Sequence, residues 1–514
     1  MAPSDLLRTG VLTRCEGTGE SIRPRTGLTV AEDGDGLRLE SPWGRYALRS
    51  MNSASRDVLS TWSRYGQGLD SALTPVAAPV RGQVLGTLHR LRHLVTRAFH
   101  TPSDCGQMHA ALQALTPTAS YTVKALADEA VVRLADASYL RSHQGALVLE
   151  SPLTAHRTTL RSPAARQWVT SLTEGNALTA LRAFGTDAGV LHNLTEHLLA
   201  AGFLVAEPAG ADAQASGSNM PELWAFHDLL FHARSRFGRH DYPFGANFAH
   251  LDTTPPEPAV RPSADGEAPI PMYRPDWDSV LARDPALTVA LEGRTSRRMA
   301  GEVPLTLRQL GEFLYRVGRI RGFSPPAPGV PYETTSRPYP GGGAAYELEL
   351  YVTVTRSLDL EPGIYHYDPH RHELTRINGE TRLVHAVSQA AWTATGGLAY
   401  PDMVFSITSR MKRLSWKYDS MAYATTLKNV GVLYQTMYLV ATAMRLAPCA
   451  LGSGNADLVA EATGNDYLSE CSVGEFILSS AASEEGASAS VGAQDVNSAE
   501  WVRRARALLE DTPQ

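Results

Sequence analysis

The sequence predicts an α+β protein whose N-terminal and C-terminal parts follow different plans. Three observations predict this. A weak internal repeat relates "LRLESPWGRYALRSMNSASRDVLSTW" at 37–62 to "LVLESPLTAHRTTLRSPAARQWVTSL" at 147–172. A small-residue run, "PAGADAQASGSNMP" at 208–221, and a proline-rich run, "PPEPAVRPSADGEAPIPM" at 254–271, interrupt the middle of the chain. Such runs bury too little to join a core and act as linkers. Beyond them, from 275 to 480, helix-like and strand-like segments mix around a long apolar stretch at 423–446.

Each repeat copy reads as a strand, a Ser-Pro turn, a second strand and a helix opened by "RS", with Ser50 and Ser162 at the N-cap positions. The segment 187–208 adds an amphipathic helix, a glycine stop and a short strand. Helix plus two-stranded wing, used twice, predicts tandem winged-helix-like modules at 1–110 and 111–208. Such modules offer a strand edge to a peptide or stabilise a dimer. A linker and docking helix follow at 209–274. His227 and His232 in that helix stand five apart, off the i, i+4 spacing that would align two metal ligands, so docking is preferred to metal binding.

The part at 275–480 reads as a mixed α/β domain. A helix is predicted at 306–320. Tyr346, Leu348, Leu350 and Val352 alternate as in a half-buried strand at 346–355, just after three consecutive glycines. A hairpin at 363–377 turns at Asp368-Pro369, a helix covers 383–392, and a strand covers 403–409. The stretch 423–446 is apolar around most of its girth, as a core helix or a buried subunit interface is. A strand at 475–480 closes the domain. The remainder, 481–514, reads as a mobile Ser/Ala/Gly-rich tail and a last helix at 498–510.

Composition excludes several functions. The 514 residues suggest two to four domains at roughly 150 residues each. A net charge of −6 without a basic block argues against nucleic acid. Cys15, Cys105, Cys449 and Cys471 are scattered, so neither a disulfide framework nor a thiolate zinc site is indicated. The start of the chain has no signal-peptide pattern. The most apolar run, 427–446, is broken by Lys428, Asn429, Gln435 and Arg445, so no membrane partner is expected and a cytoplasmic location is. Walker, Rossmann, nucleophile-elbow and HExxH motifs are all missing, since "GTGESI" and "GSGNAD" both fail the dinucleotide pattern. Only four of the 47 basic residues are lysine, and Lys412, Lys417 and Lys428 fall within one short segment, Lys124 being the fourth. Lysine, unlike arginine, can shift its pKa and exchange protons.

Four short motifs have chemical potential. "EGRTSRRMAG" at 292–301 offers forked guanidiniums and a hydroxyl to a phosphate through Arg294, Ser296, Arg297 and Arg298. "SRPYPGGGAAYELELY" offers backbone without Cβ atoms to a flat ligand. "SRMKRLSWKYDSMAY" at 409–423 sets Lys417 beside Tyr418, and a nearby ammonium favours a phenolate. "RLAPCALGSGNADL" at 445–458 supplies a tight loop after the long helix. Singly, the arginine cluster is most often a solvated surface, the Lys417–Tyr418 pair reads as a core tyrosine beside a surface lysine, and the last segment as an ordinary helix C-terminal loop.

In this order the four motifs resemble the FMN-dependent nitroreductase superfamily, and more closely the SagB/ThcOx-type azoline dehydrogenases. Those enzymes serve the making of thiazole- and oxazole-modified peptides, including linear azole peptides, cyanobactins and thiopeptides. The resemblance covers 222–480 and is carried also by "WAFHDLLFHARSRFG", "LEPGIYHYDPHRHEL", "WKYDSMAYATTLKNVGVLYQTMYLVATAMRL" and "SVGEFILS". Residues 1–208 match only in layout. The resemblance implies a nitroreductase-like FMN-binding α/β domain at 275–480 and FMN at a homodimer interface built around the long helix. It implies phosphate and ribityl contacts from Arg294, Ser296 and Arg298. Pro340, Gly341, Gly342 and Gly343 would approach the flavin, and Leu451 and Gly452 would face its N5 edge. Lys417 and Tyr418 would be the catalytic pair. The sequence departs twice from the pattern: Gly341 stands where serine is usual, and the basic residues after the last strand are missing, so Arg410 or Arg413 is expected to substitute.

The implied activity is FMN-dependent dehydrogenation of thiazoline or oxazoline rings in a ribosomally made precursor peptide, alongside a cyclodehydratase partner. Two alternatives stay open. One is an NAD(P)H-dependent FMN reductase of the same fold, acting on a nitro, quinone or dehydroamino-acid substrate. The other is a flavin-free peptide-binding scaffold.

Overall fold

The computed structural model describes residues 19–65, 69, 73, 76–101, 107–207, 221–262, 265–482 and 499–511. Cys15, Cys105, most of the linker (208–220) and most of the tail (483–498) lie outside them. The chain divides into two compact units, Met1–Pro243 and Phe244–Gln514.

In the first unit the repeat becomes a repeated local structure. Thr29–Asp33, Gly36–Ser41 and Gly44–Leu48 form an antiparallel meander ahead of the helix Ser53–Tyr65. Tyr139–His143, Ala146–Glu150 and His156–Leu160 do the same ahead of the helix Pro163–Ser171. The first meander is a sheet of its own, whereas the second runs on through Met108–Ala114 and Val95–His100 to Glu20–Pro24 as a six-stranded sheet. Each copy thus shows the two strands and the helix read from the sequence, and one further strand just ahead of the copy completes each meander. Ser162 caps its helix by accepting the Ala165 N–H. Ser50 does not cap its own: it sits at φ +56°, and Asn52 accepts the Ser55 N–H at 2.7 Å instead. Asparagine is as good a cap as serine and stands immediately before the first helical residue.

A buried charge network ties the end of this unit to its sheet. Asp241 receives both guanidinium nitrogens of Arg157, at 3.0 and 3.2 Å, and also pairs with Arg25. Glu150 accepts from Arg157 and Arg141. Burial alone would push the Glu150 carboxyl up, but the two guanidiniums pull it down to about 2. Burial, with Arg157 nearby, lowers Arg25 to about 9. The helix Phe226–Arg234 lies in the segment so anchored; His227 is exposed and His232 packs against Trp224, with ring centroids 5.6 Å apart.

The second unit is built on a seven-stranded sheet, antiparallel at every pairing. Its order is Ile270–Pro271, Glu373–Asn378, Gly363–Asp368, Leu348–Val354, Met403–Arg410, Glu470–Ser480 and Leu446–Leu451. The strand after the three glycines is thus the central one, and all its residues are buried. Leu348, Leu350, Val352 and Val354 face a core shared with Leu433 and Met437 of the long helix Ala422–Ala443 and with Leu310, Phe313 and Leu314 of the helix Leu307–Gly318. The alternation read from the sequence is real, but the polar positions are buried too. Glu349 meets Arg410 at 3.0 Å and His366 at 3.4 Å, and Tyr351 donates to Glu470 at 2.9 Å. Partnered in this way, polar side chains cost little to bury. A second apolar cluster, formed by Leu383, Val387, Ile477 and Leu451 among others, seats the helix Thr381–Ala394.

No helix among the described residues is long and apolar enough to cross a membrane.

Candidate functional site

The long helix lines up the three loops that the sequence singled out. Near its N-terminus, Thr425 and Asn429 meet the glycine loop: the Gly342 N–H donates to Asn429 Oδ1 at 3.1 Å. Asn429 in turn donates from Nδ2 to Glu347 Oε1 at 2.8 Å, and Glu347 is fully buried. A carboxylate only accepts, so it fixes which end of the Asn429 amide faces the loop. At mid-helix, Leu427, Val430, Gly431 and Tyr434 border a pocket of about 400 Å³ closed by Leu451, Gly452, Ser453 and Gly454. Near the C-terminal end, the Tyr438 hydroxyl bonds Ser296 Oγ and the Ala450 N–H, both at 2.8 Å, and the Arg294 guanidinium stands 5.2 Å over the Tyr438 ring. Thr425 and Tyr438 are about 20 Å apart along the axis at about 1.5 Å per residue.

The glycines are needed where they stand. Gly343 has φ +61°, and a Cβ there would lie 2.2 Å from Lys417 Nζ and 2.6 Å from the Tyr418 hydroxyl. A Cβ on Gly342 would lie 2.5 Å from Thr425 Cγ2. The loop is therefore pressed against the Lys417–Tyr418 pair and the helix, and both members of the pair stay half-buried beside the exposed Gly343. Tyr418 is held by backbone pairing, since Tyr418–Asp419 runs antiparallel to Gly245–Ala246. Lys417 Nζ donates to the Tyr332 hydroxyl at 2.5 Å and to the Gly343 carbonyl at 3.5 Å. It lies 5.0 Å from the Tyr418 ring centroid.

The candidate phosphate contacts are less tightly grouped. Arg294 caps the C-terminus of the helix Leu287–Gly293, and Arg297 and Arg298 are exposed. None of the three makes an ion pair among the described residues. The exposed Pro340 borders the glycine loop, and no bond links Arg298 to Ser296 or Arg294.

Arg410 and Arg413 are a correction. Both are buried and already engaged: Arg410 binds the Pro258 and Ala259 carbonyls besides Glu349, and Arg413 binds the carbonyls of Glu257, Glu333 and Ala345. The proline-rich segment presents carbonyls and few N–H groups, so it takes up guanidinium donors. Neither arginine is left for a phosphate. Lys412 and Lys428 are exposed, and only Lys417 of the three clustered lysines enters the site.

Tyr332 and Glu475 are among the site residues that escaped the sequence reading. Tyr332 lies in a Pro/Gly-rich loop with no periodicity to mark it. Glu475 faces the mid-helix pocket and accepts a hydrogen bond from Ser472. Burial raises its carboxyl above the usual range, against the pull of Ser472, and a Cβ on Gly454 would collide with it. Burial, with Glu475 near, also raises Tyr434.

Comparison with known proteins follows the same division of the chain. Residues 132–241, inside the first unit, match the family model described as cyanobactin oxidase ThcOx. Residues 291–474, inside the second, match the nitroreductase family model and include every candidate site residue of the sequence reading. A Methanocaldococcus jannaschii protein provisionally named a nitroreductase is 30% identical over 179 residues, 35% of this chain and 82% of that one. Among solved structures, a provisionally named nitroreductase from Ralstonia eutropha aligns at 20% identity over 47% of this chain and 99% of its own, with a TM-score of 0.34. The E. coli microcin synthetase McbBCD complex with truncated pro-MccB17 bound aligns at 19% identity over 50% of this chain and 92% of its own, with a TM-score of 0.31. The relation to the archaeal protein, with the two family models, is decisive: the chain belongs to the nitroreductase family and carries a cyanobactin-oxidase segment ahead of its nitroreductase segment.

Proposed function

We propose that this protein is an FMN-dependent dehydrogenase that oxidises thiazoline or oxazoline rings of a precursor peptide to thiazoles or oxazoles. The observation that carries the reading is the Lys417 ammonium and the Tyr418 phenol, both partly accessible, pressed against one glycine at the end of the helix that lines the family's cofactor loops.

The residues fit FMN. Among the described residues, Arg294, Arg297 and Arg298 are guanidiniums without carboxylate partners, suited to a phosphate. Gly342 and Gly343 bring the loop backbone against Thr425 and the Lys417–Tyr418 pair, and the pocket at Leu451–Gly454 lies between that loop and Arg294 along one helix. The chemistry supplied by FMN when bound is acceptance of two electrons, which dioxygen later takes up. The protein's own part is proton handling and position. The C=N bond of an azoline acidifies its ring Cα–H. Tyr418 is the proposed base for that proton, with the Lys417 ammonium beside its ring. The Tyr418 hydroxyl makes no hydrogen bond among the described residues, so its oxygen is free for substrate. The visible spectrum of the purified protein tests the cofactor: flavin bands and acid-released FMN are expected, and a colourless protein that FMN cannot reconstitute contradicts the reading.

The exposed face of the long helix supports a homodimer. Tyr423 and Leu427, one helical turn apart, lie on it with 46% and 39% of their surface open and line the mouth of the pocket. Exposed apolar side chains beside a pocket are the kind of surface a partner covers. Leu427→Arg is expected to give a monomer by light scattering and to lose FMN with it; a yellow dimer would rule this face out. The first unit is proposed to hold the leader of the precursor peptide or to dock a cyclodehydratase. If it holds the leader, a leaderless peptide should show a KM raised about tenfold or more with kcat little changed. An equal KM for both peptides leaves the docking role alone.

A further inference from the structure

We propose that Tyr332 is a positioning residue of this centre, its hydroxyl bridging Lys417 Nζ and the Gly343 carbonyl so that the ammonium is held beside Tyr418. The inference rests on the functional reading above and names a residue that the reading does not use.

The hydrogen-bond roles admit one arrangement. An ammonium only donates, so the Tyr332 oxygen accepts from Lys417, at 2.5 Å. The single Tyr332 proton then goes to the Gly343 carbonyl, at 2.6 Å. Without that hydroxyl, the one hydrogen bond Lys417 keeps among the described residues is to the Gly343 carbonyl at 3.5 Å, the outer limit of a hydrogen bond. The phenol that Lys417 bonds is therefore Tyr332, and Tyr418 sees the ammonium through space. Tyr332 is 4% exposed and cannot reach a substrate, which separates its role from that of Tyr418. It is itself well fixed, with the rings of Trp416 and Phe248 at 6.1 and 6.2 Å and the Arg413 guanidinium 5.9 Å from its ring centroid. The Phe248, Tyr332 and Tyr418 rings surround Lys417 Nζ at 6.0, 4.8 and 5.0 Å.

The scarcity of lysine makes the bridge measurable. Reductive methylation with 13C-formaldehyde keeps the charge of each lysine and leaves one N–H on it. The full chain then gives resonances for four lysines and its α-amine. Lys124, Lys412 and Lys428 are exposed, so the Lys417 methyl signal alone should be displaced by ring currents. Lys417→Arg assigns it. In Tyr332→Phe the rings remain but the tether is gone, and the displaced signal should collapse towards the other three. The same variant should keep its FMN and lose about tenfold to a hundredfold in kcat, with KM little changed, as a small misplacement of a catalytic group does. An unmoved Lys417 signal in Tyr332→Phe overturns the proposal, as does a rate loss that merely follows lost FMN. If Tyr332→Phe does not fold, the wild type decides: through-space transfer from the Lys417 methyls to the Tyr332 ring is expected, and its absence overturns the bridge. A wild type that shows the bridge but leaves azolines untouched removes the proposed substrate and keeps the positioning role.

Discussion

Tyr418→Phe is expected to lower azole formation by about a thousandfold while the protein remains yellow, in line with a general base worth about 10²–10⁴ in rate. The substitution removes one oxygen and leaves the rest of the site standing. Tyr418 is held by its backbone pairing with Ala246, which phenylalanine preserves. The Tyr418 hydroxyl supports no neighbour among the described residues, so its loss strands no buried partner. FMN binding, assigned to Arg294, Ser296 and the loops along the helix, should be unchanged. Tyr332 cannot stand in as base, because it is buried and its proton is committed to Gly343. Azole formation by the variant at more than about a tenth of the normal rate would move the base elsewhere.

The second large effect concerns the first unit and acid. His93, His100 and His156 are buried, and their imidazoles are held down at about 4. The chief cause is burial, and Arg25, Arg23 and Arg92 respectively add to it. Burial lowers His197 further, to about 2. Each of these neutral rings is bonded to a hydroxyl: His93 to Tyr46, His100 to Ser21, His156 to Thr154 and His197 to Tyr121. The folded pKa lies below the unfolded value of 6.5, so the unfolded chain binds more protons as pH falls. Stability is fully present above 6.5 and is lost through the window from 6.5 down to about 4. A shift from 6.5 to about 4 is worth on the order of 3 kcal/mol per histidine. Solvent screening lowers that figure for His93 and His100, and the three together remain a sizeable share of a domain's stability, about 5–15 kcal/mol. Trp62 and Trp168, both buried in this unit, report on it by fluorescence. Their signal is expected to collapse between pH 6 and about 4.5. A Trp signal and denaturant midpoint that stay flat to pH 4.5 would contradict the buried neutral state.

Local chemistry was legible in the sequence wherever it was written in neighbouring residues. The long helix announced itself by continuous apolarity, the central strand by its even-numbered hydrophobes, and the Lys417–Tyr418 pair by adjacency. What escaped depends on residues far apart in the chain. Glu349 and Tyr351 look like the solvent face of a strand until Arg410, His366 and Glu470 arrive from other strands to bury them. Arg410 and Arg413 look available for a phosphate until the proline-rich segment takes their donors. Tyr332 carries no pattern; its one signal was its place just ahead of the glycine loop. Ser50 was misread because an equally good cap, Asn52, lies two residues on.

The most direct measurement is the mass of a thiazoline-bearing precursor peptide after incubation with the FMN-loaded full chain and dioxygen, with no nicotinamide present. Loss of two hydrogens per ring is expected, with Tyr418→Phe leaving the peptide unchanged. Intact azolines in that reaction would contradict the dehydrogenase reading, and NAD(P)H oxidation with a nitro or quinone acceptor in a separate assay would then favour the reductase alternative.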